Sequence, residues 1–380
     1  MTAIRKRQWK APDGTPKQAW LVDYKDQSGR RRSKQFVRKK EAEAYREQVG
    51  LELRQGIHTP DSQSVTVASA AALWIKRAES KGRERATIDR YKSLNRLHIE
   101  PILGAEKLSR LSAPRIEAYR DTLLETRSRS LATKALRALS MILADSQRRG
   151  LVAQNVAQGV KVDSGDRERD HIRIPDKLEL RALLEHAGDD FRPFVTLAIF
   201  SGLRASELRG LRWQDIDLKG ATVTVAQRAD KFCEIGAPKS RAGRRTIPLP
   251  PKVVTELKAW KLRCPKSELD LVFANKVGGV QDYGHLLRRK FYPLQVRAGV
   301  ADKAGKDKDG GPIMRARYGL HALRHAAASA WISQKVDMKR LQVWLGHEKI
   351  ELTFDTYGHL IEDEDADAKS MRQVQADLLG

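Results

Sequence analysis

Apolar and polar positions change rhythm several times along this chain. From Trp20 to Tyr24 they alternate, as a strand with one buried face requires. Asp26 to Arg30 supplies turn residues and an extended pattern resumes from Arg31 to Val37, so a hairpin is predicted. Lys39 to Leu53 is rich in helix formers and predicts a helix beside that small sheet. A turn-rich linker, GIHTPDSQS at 56–64, follows. Helical spacing then runs from Val67 to Ser80 and from Glu84 to Ile99, the second helix being ended by Pro101 and Gly104. Ser112 is placed to cap a helix with Pro114 in its first turn, reaching about Arg127, and Leu131 to Arg149 forms another that Gly150 stops. These helices predict a compact bundle whose polar faces carry Arg and Lys.

Residues 160–172, VKVDSGDRERDHI, are charged and poor in apolar positions, and read as a second linker. Beyond it the pattern is mixed. Phe194 to Phe200 predicts a buried helix ending at Gly202. Thr222 to Val225 and Arg244 to Leu249 predict strands, with Gly243 in the turn between them. Helices are expected around 251–263, 282–298, 320–334 and 337–345, and the stretch ADKAGKDKDGGP at 301–312 is expected to be a flexible loop. The fold class that results is mixed and mainly α: a small β-rich N-terminal module over 1–56, a helical bundle over 64–160 and an α+β domain over 170–380.

Charge narrows the function. The 380 residues hold 72 Lys and Arg against 48 Asp and Glu, a net charge of +24. Such an excess points to a polyanionic partner, nucleic acid first. The excess is not confined to one arm: residues 1–40 hold thirteen basic against three acidic residues, and residues 64–165 nineteen against ten. That spread suits a protein that wraps a duplex, each neutralised phosphate adding salt-sensitive affinity. No apolar run reaches the roughly eighteen residues of a membrane span. The basic start MTAIRKRQWK lacks the apolar stretch of a secretory signal. Cys233 and Cys264 make neither a disulfide framework nor a zinc quartet, which fits a reducing cytosol.

Candidate chemistry is scattered in sequence. Arg204, in SGLRASEL, follows an apolar helix and needs an anion if partly buried; a structural pair with Glu207 satisfies the same requirement. In HALRH, His321 and His325 share a helix face, but Ala322 stands where a zinc protease places its glutamate base, so metal binding is a poor reading. Arg324 offers a planar donor fork suited to phosphate. Lys239 lies on the turn between two strands, where a lysine either swings into a site or simply stays solvated; Arg241, Arg244 and Arg245 nearby favour a phosphate-facing role, or serve as general contacts to a backbone. Tyr357, between Thr356 and Gly358, is either a small hydrophobic contact or a nucleophile.

The order of these pieces resembles the tyrosine recombinases, or phage-type integrases. GLRASEL around Arg204, HALRH at 321–325, LGH at 345–347 and Thr356 to His359 match that family's motifs, strongly over about 170–362. The helical bundle is similar to the family's core-binding domain and the first fifty-odd residues to its arm-binding module. The 301–312 loop is longer than the family needs. The resemblance implies an α+β catalytic domain of the tyrosine recombinase type. It implies that Arg204 and Arg324 hold non-bridging phosphate oxygens, Tyr357 attacks, Lys239 protonates the leaving 5′ oxygen, His321 assists proton movement from the tyrosine and His347 donates to the phosphate. The product is a 3′-phosphotyrosyl ester, and no cofactor or metal is needed. Expected partners are double-stranded DNA attachment sites, a homotetramer passing through a Holliday junction, and DNA-bending or directionality accessory proteins; the expected place is the bacterial cytoplasm. The acidic stretch after Tyr357 and the apolar spacing from Met371 to Leu379 suggest a tail that packs on a neighbouring subunit. A type IB topoisomerase and a non-catalytic DNA-binding regulator stand as alternatives.

Overall fold

The computed structural model describes residues 2–56, 58–61, 64–163, 173–358, 372 and 374–379, in two compact units, Met1–Arg169 and Asp170–Gly380. The first unit holds two separate apolar cores. Strands β1 (Ala3–Lys10), β2 (Pro16–Lys25) and β3 (Arg31–Phe36) form an antiparallel sheet in that order. Helix α1 (Lys39–Arg54) covers it, and Val22, Tyr24, Ala42 and Val49 are buried between them. The sequence predicted only a hairpin here. β1 reads AIRKRQWK, almost wholly exposed, so it lacks the alternation that marks a half-buried strand; the β2 backbone recruits it as an edge.

Within the turn-rich stretch 56–64, His58 and Asp61 are tied to the elements on either side. His58 is buried, its Nδ1 lying 2.7 Å from Glu52 and its Nε2 2.9 Å from the Tyr24 hydroxyl. Asp61 accepts from Lys34 at 3.1 Å and from the Ser109 hydroxyl at 2.6 Å.

The bundle comprises α2 (Val67–Ser80), α3 (Arg85–Leu94), α4 (Glu100–Leu103), α5 (Ala113–Thr126) and α6 (Arg129–Arg148). Thr66, Ser112 and Ser128 cap α2, α5 and α6 through their side-chain oxygens. Pro101 does not end a helix, contrary to expectation. A π turn over Asn95–Ile99 joins α3 to α4, and Pro101 sits in the first turn of α4, where a missing N–H costs little. Asp145 on α6 is fully buried and accepts from Arg77, Arg148 and Arg149.

The second unit opens with α7 (Lys177–His186), whose Asp176–Glu179 capping box the sequence reading passed over. Then come α8 (Arg192–Ser201), α9 (Ala205–Arg209) and short strands β4 (Ile216–Asp217), β5 (Thr222–Val225), β6 (Arg228–Ala229), β7 (Ile235–Gly236) and β8 (Arg245–Pro248). β4, β5 and β8 form one antiparallel sheet, and β6 with β7 a separate pair inserted between β5 and β8. Helices α10 (Pro251–Lys261), α11 (Tyr283–His285) and α12 (Tyr292–Arg297) follow, the last two joined by a π turn at Leu286–Phe291. Residues 301–312 are not a flexible loop. They form β9 (Ala301–Lys306) and the turn into β10 (Pro312–Ala316), an antiparallel hairpin with a bulge at Ile313/Met314. Asp307 closes the turn by accepting from the Asp309 and Gly311 N–H groups, with Gly310 at φ 82°. Nearly all its side chains are exposed, so no apolar alternation announces it. The unit ends in α13 (His321–Ser333), α14 (Met338–Leu345) and α15 (Glu351–Tyr357). Of the tail, His359 and the acidic stretch lie outside the described residues; 374–379 is helical and exposes Val374, Leu378 and Leu379. No helix among the described residues is long and apolar enough to cross a membrane.

Candidate active site

The second unit's chemistry is gathered by helix ends. α8 stops at Gly202, which adopts φ 59°; a Cβ there would meet Trp331 at 3.0 Å and Ala327 at 3.3 Å. α13 packs closely on α8, and its Ala326 and Ala327 are buried. α14 stops at Gly346, with φ 63°, where a Cβ would meet Arg245 at 2.9 Å and the Ala242 carbonyl at 3.0 Å. Both turns therefore require glycine, and each leaves carbonyl groups of a helix C-terminus without helical partners.

Arginines take those carbonyls. Arg324, 2% exposed, donates to Gly202 O at 2.9 Å and to Leu345 O at 2.5 Å. Arg245 donates through Nε to Trp344 O at 2.6 Å. Arg204 donates to Gly346 O at 3.3 Å. Three consecutive carbonyls, 344 to 346, thus hold three different guanidinium groups, at the negative end of α14. Burial, then the charge of Arg204, pushes the Arg324 pKa down to about 9, still well above neutrality, so the group stays charged at pH 7.

Glu207 sorts the arginines. Arg245 meets it with two bonds, at 3.1 and 2.8 Å, and Arg204 with one at 2.9 Å. Glu207 also accepts from the Arg204 backbone N–H at 2.8 Å, which caps α9. Its burial would raise its pKa, but the Arg245 hydrogen bonds and the charges of Arg245 and Arg204 outweigh that and hold it at about 2. The structural pair that the sequence offered for Arg204 therefore exists, and half of Glu207 is spent on Arg245. No carboxylate among the described residues pairs with Arg324.

His347 stands next to Arg324, with Nε2 3.1 Å from its Nη2 and Nδ1 3.0 Å from the Thr353 hydroxyl. Burial, then the charges of Arg324, Arg204 and Arg245, pushes the ring pKa down to about 4. The ring is neutral at pH 7: Nε2 accepts from Arg324 and Nδ1–H donates to Thr353. Both ring nitrogens are thus engaged within the protein. His321, Arg324 and His325 occupy one face of α13, at positions i, i+3 and i+4. His321 is exposed, with its ring edge-on to that of His325 at 4.7 Å.

Tyr357, on α15, is 1% exposed and belongs to a small apolar cluster with Ala328, Leu341 and Leu345. Its hydroxyl lies 2.8 Å from His325 Nδ1. Burial pushes the phenol up to about 12, against the opposing pull of Arg324 and Arg204. The ring is packed, as one sequence reading of Tyr357 has it, and the oxygen lies in the field of two cations.

Arg204, His321, Arg324, His347 and Tyr357 are drawn into one neighbourhood. Lys239 is exposed on the segment between β7 and the 3-10 turn Arg241–Gly243 that leads into β8. Arg245 corrects the sequence reading. It faces inward, with its side chain 1% exposed, and serves Glu207 and α14 instead of a phosphate. Its inward position was available from the alternation in β8, buried at Arg245 and Ile247 and exposed at Thr246 and Pro248. Thr353 and the Tyr357 contact of His325 carried no sequence signal.

The family model described as "Phage integrase family" matches residues 175–364, half of the chain. The chain belongs to the phage integrase family. It is a tyrosine-type site-specific DNA recombinase, in line with the relatives of this integrase. It is 26% identical over 377 residues to a tyrosine recombinase XerC-like protein of Caldanaerobacter subterraneus subsp. tengcongensis, covering 90% of this chain and 92% of that one. It is 25% identical to an integrase of Streptomyces ambofaciens, over 77% and 76% of the two chains. Among solved structures, the Tn1549 transposon integrase in complex with a circular intermediate DNA shares the fold at TM-score 0.67 and 18% identity, covering 82% of this chain and 100% of that one. A lambda integrase tetramer bound to a Holliday junction shares it at TM-score 0.58 and 19% identity, covering 90% and 95%.

Proposed function

We propose that this integrase cuts a DNA strand by attack of the Tyr357 oxygen on a backbone phosphorus, releasing a 5′ hydroxyl and leaving a 3′-phosphotyrosyl ester. The barrier is electrostatic, because an oxygen nucleophile must approach an anion and a fifth P–O bond adds charge to the equatorial oxygens. Arg324 and Arg204 supply fixed positive charge there. The observation that carries this reading is the charged, buried Arg324, without a carboxylate partner among the described residues and held by two helix C-termini close to a packed tyrosine. Lys239 protonates the departing 5′ oxygen and His321 assists at the rim of the site. His347 is released from Arg324 as phosphate takes its place; its proton moves from Nδ1 to Nε2 while the Thr353 hydroxyl turns to donate to Nδ1, and Nε2–H then donates to phosphate. The ester conserves the energy of the broken bond, so a second DNA end rejoins it without a cofactor.

The biological task is integration or excision of a mobile element at double-stranded attachment sites, by a homotetramer assisted by DNA-bending or directionality proteins. Relatives named for such elements support it, among them the ICEBs1 integrase of Bacillus subtilis, 23% identical over 84% of both chains. The basic module with its sheet of β1 to β3 supports recognition of additional DNA sites. Exposed Val374, Leu378 and Leu379 support docking of the tail on a neighbouring subunit. Deletion after Asp365 then abolishes tetramer assembly on DNA while single-site binding remains.

A suicide duplex, nicked beside the cleavage point, tests the chemistry. The parent is expected to become covalently attached and Tyr357→Phe to bind without attachment. Attachment of the phenylalanine protein would place the nucleophile elsewhere. Relaxation of a supercoiled plasmid devoid of attachment sites would favour a type IB topoisomerase instead. Failure of the parent to attach to any cognate site would favour a DNA-binding regulator.

A further inference from the structure

We propose that His325 is a catalytic residue: its Nδ1 accepts the proton of the Tyr357 hydroxyl as the phenolic oxygen attacks phosphorus, and returns it on rejoining. The proposal rests on the reading of Tyr357 as nucleophile and adds the fate of its proton.

Three observations converge. The first is contact: His325 Nδ1 lies 2.8 Å from the Tyr357 oxygen, within the reach a general base requires. His321, to which proton movement was assigned by resemblance, is exposed and touches His325 ring to ring. The second is registry. His325 follows Arg324 directly on α13, so the group that takes the proton and a group that holds the phosphate move as one rigid piece. The third is protonation state. Burial and the Arg324 charge depress the His325 pKa, so its ring is free of an extra proton at neutral pH and can accept one. The charged or titratable groups around this pair are His321 and Arg324 on α13, Tyr357 on α15 and Arg204 at the start of α9.

The step balances. The Tyr357 O–H bond breaks and its proton passes to His325 Nδ1. The O–P bond forms, the P–O5′ bond breaks, and the 5′ oxygen takes a proton from the general acid. With the phenol at about 12 and the imidazole below its ordinary value, prior ionisation is strongly uphill. Proton transfer must therefore accompany attack, as the growing O–P bond acidifies the phenol.

The experiment measures covalent attachment to the nicked suicide duplex at pH 7.5 for four proteins: parent and His325→Asn, each with Tyr357 as tyrosine or as 2,3,5-trifluorotyrosine. Asparagine places an amide oxygen near the Nδ1 position, keeping a hydrogen-bond acceptor that does not titrate. His325→Asn is expected to slow attachment by about 10²–10³-fold with duplex affinity unchanged. Fluorination, by acidifying the phenol, is expected to shrink that deficit at least tenfold. A deficit that fluorination leaves intact overturns the proposal, since a purely structural defect is indifferent to phenol acidity. Attachment by His325→Asn at the parental rate overturns it equally. If His325→Asn loses duplex affinity or thermal stability, the same comparison is made with His325→Gln. Tyr357→Phe is run beside them: its attachment would overturn the nucleophile assignment itself, separately from the role of His325.

Discussion

Two buried carboxylates in this molecule each face arginines in the same proportion, to opposite ends. Asp145, in the helical bundle, collects Arg77, Arg148 and Arg149, three guanidinium groups converging on one acid. In the second unit, among the described residues, Glu207 stands beside three arginines, 204, 245 and 324. In the bundle the acid is the hub, and the arginines lie 34–60% exposed, their excess charge facing water. In the catalytic unit Glu207 engages only two of the three. Arg324 is as buried as the acid itself and is held by dipoles of backbone carbonyls. A formal count of charges does not distinguish the two clusters. What distinguishes them, among the described residues, is a desolvated cation, Arg324, with no carboxylate hydrogen-bonded to it.

Replacement of Arg324 sharpens that contrast most. Arg324→Lys keeps a charge but cannot span Gly202 O, Leu345 O and His347 together, so attachment to a nicked duplex is expected to fall about 10²–10³-fold. Filter binding to intact duplex should change little; equal losses in rate and affinity would reduce Arg324 to a docking contact.

Glu207→Gln leaves Arg245 buried without its anion, and thermal or denaturant unfolding should show a loss of about 3–5 kcal/mol. Cleavage should slow as well, because Arg204 loses the partner that aims it. A stable, active Glu207→Gln protein would contradict the sorting role given to this carboxylate.

Acidity probes the same site. His347 has a folded-state pKa of about 4, below its ordinary 6.5, so unfolding takes up a proton between those values. Its contribution is complete above pH 6.5 and is lost as pH falls toward 4, at no more than about 1.4 kcal/mol per pH unit and less where water reaches the ring. Glu207, at about 2 against 4.5, adds a second loss as pH falls from 4.5 toward 2. Melting temperatures from pH 8 to 3 should therefore decline in two stages, and His347→Gln should flatten part of the upper one, to which His321, pushed by burial to about 4, and His325, also pushed down by burial, contribute as well.

Asp145→Asn should have the smallest effect on chemistry. Its arginines keep water as an alternative partner, so a stability loss of about 1–3 kcal/mol is expected, with the attachment rate per bound complex within a few-fold of the parent. A hundredfold loss of rate would tie the bundle's acid to catalysis.

Sequence alone disclosed those parts of the site that sit beside apolar helices or within short motifs. Arg204 follows the buried α8, and His321, Arg324 and His347 lie in HALRH and LGH. Helices with strong apolar periodicity were equally plain, as in α2, whose observed span Val67–Ser80 is the one expected. Elements that pair through backbone alone stayed hidden. Exposed β1 and the β9–β10 hairpin display almost no buried face, so their order comes from a neighbouring strand and a tight Asp-Gly turn. Long-range partners were hidden for a different reason. Nothing in the neighbours of Arg245 announces that it will meet Glu207, 38 positions earlier in the chain, or the end of α14, 99 positions later. His325 was visible as half of a histidine pair, yet its contact with Tyr357 depends on how α15 docks, which no local pattern encodes.

Eight residues long, α14 holds one guanidinium at each of its last two carbonyls and a third at the Gly346 carbonyl that follows, with His347 next in the chain. A slide of this rod by one residue's rise, about 1.5 Å, would drag all of these groups out of register together. The alignment of these charges is therefore set by the placement of one short rod, without any change in the packing of a core.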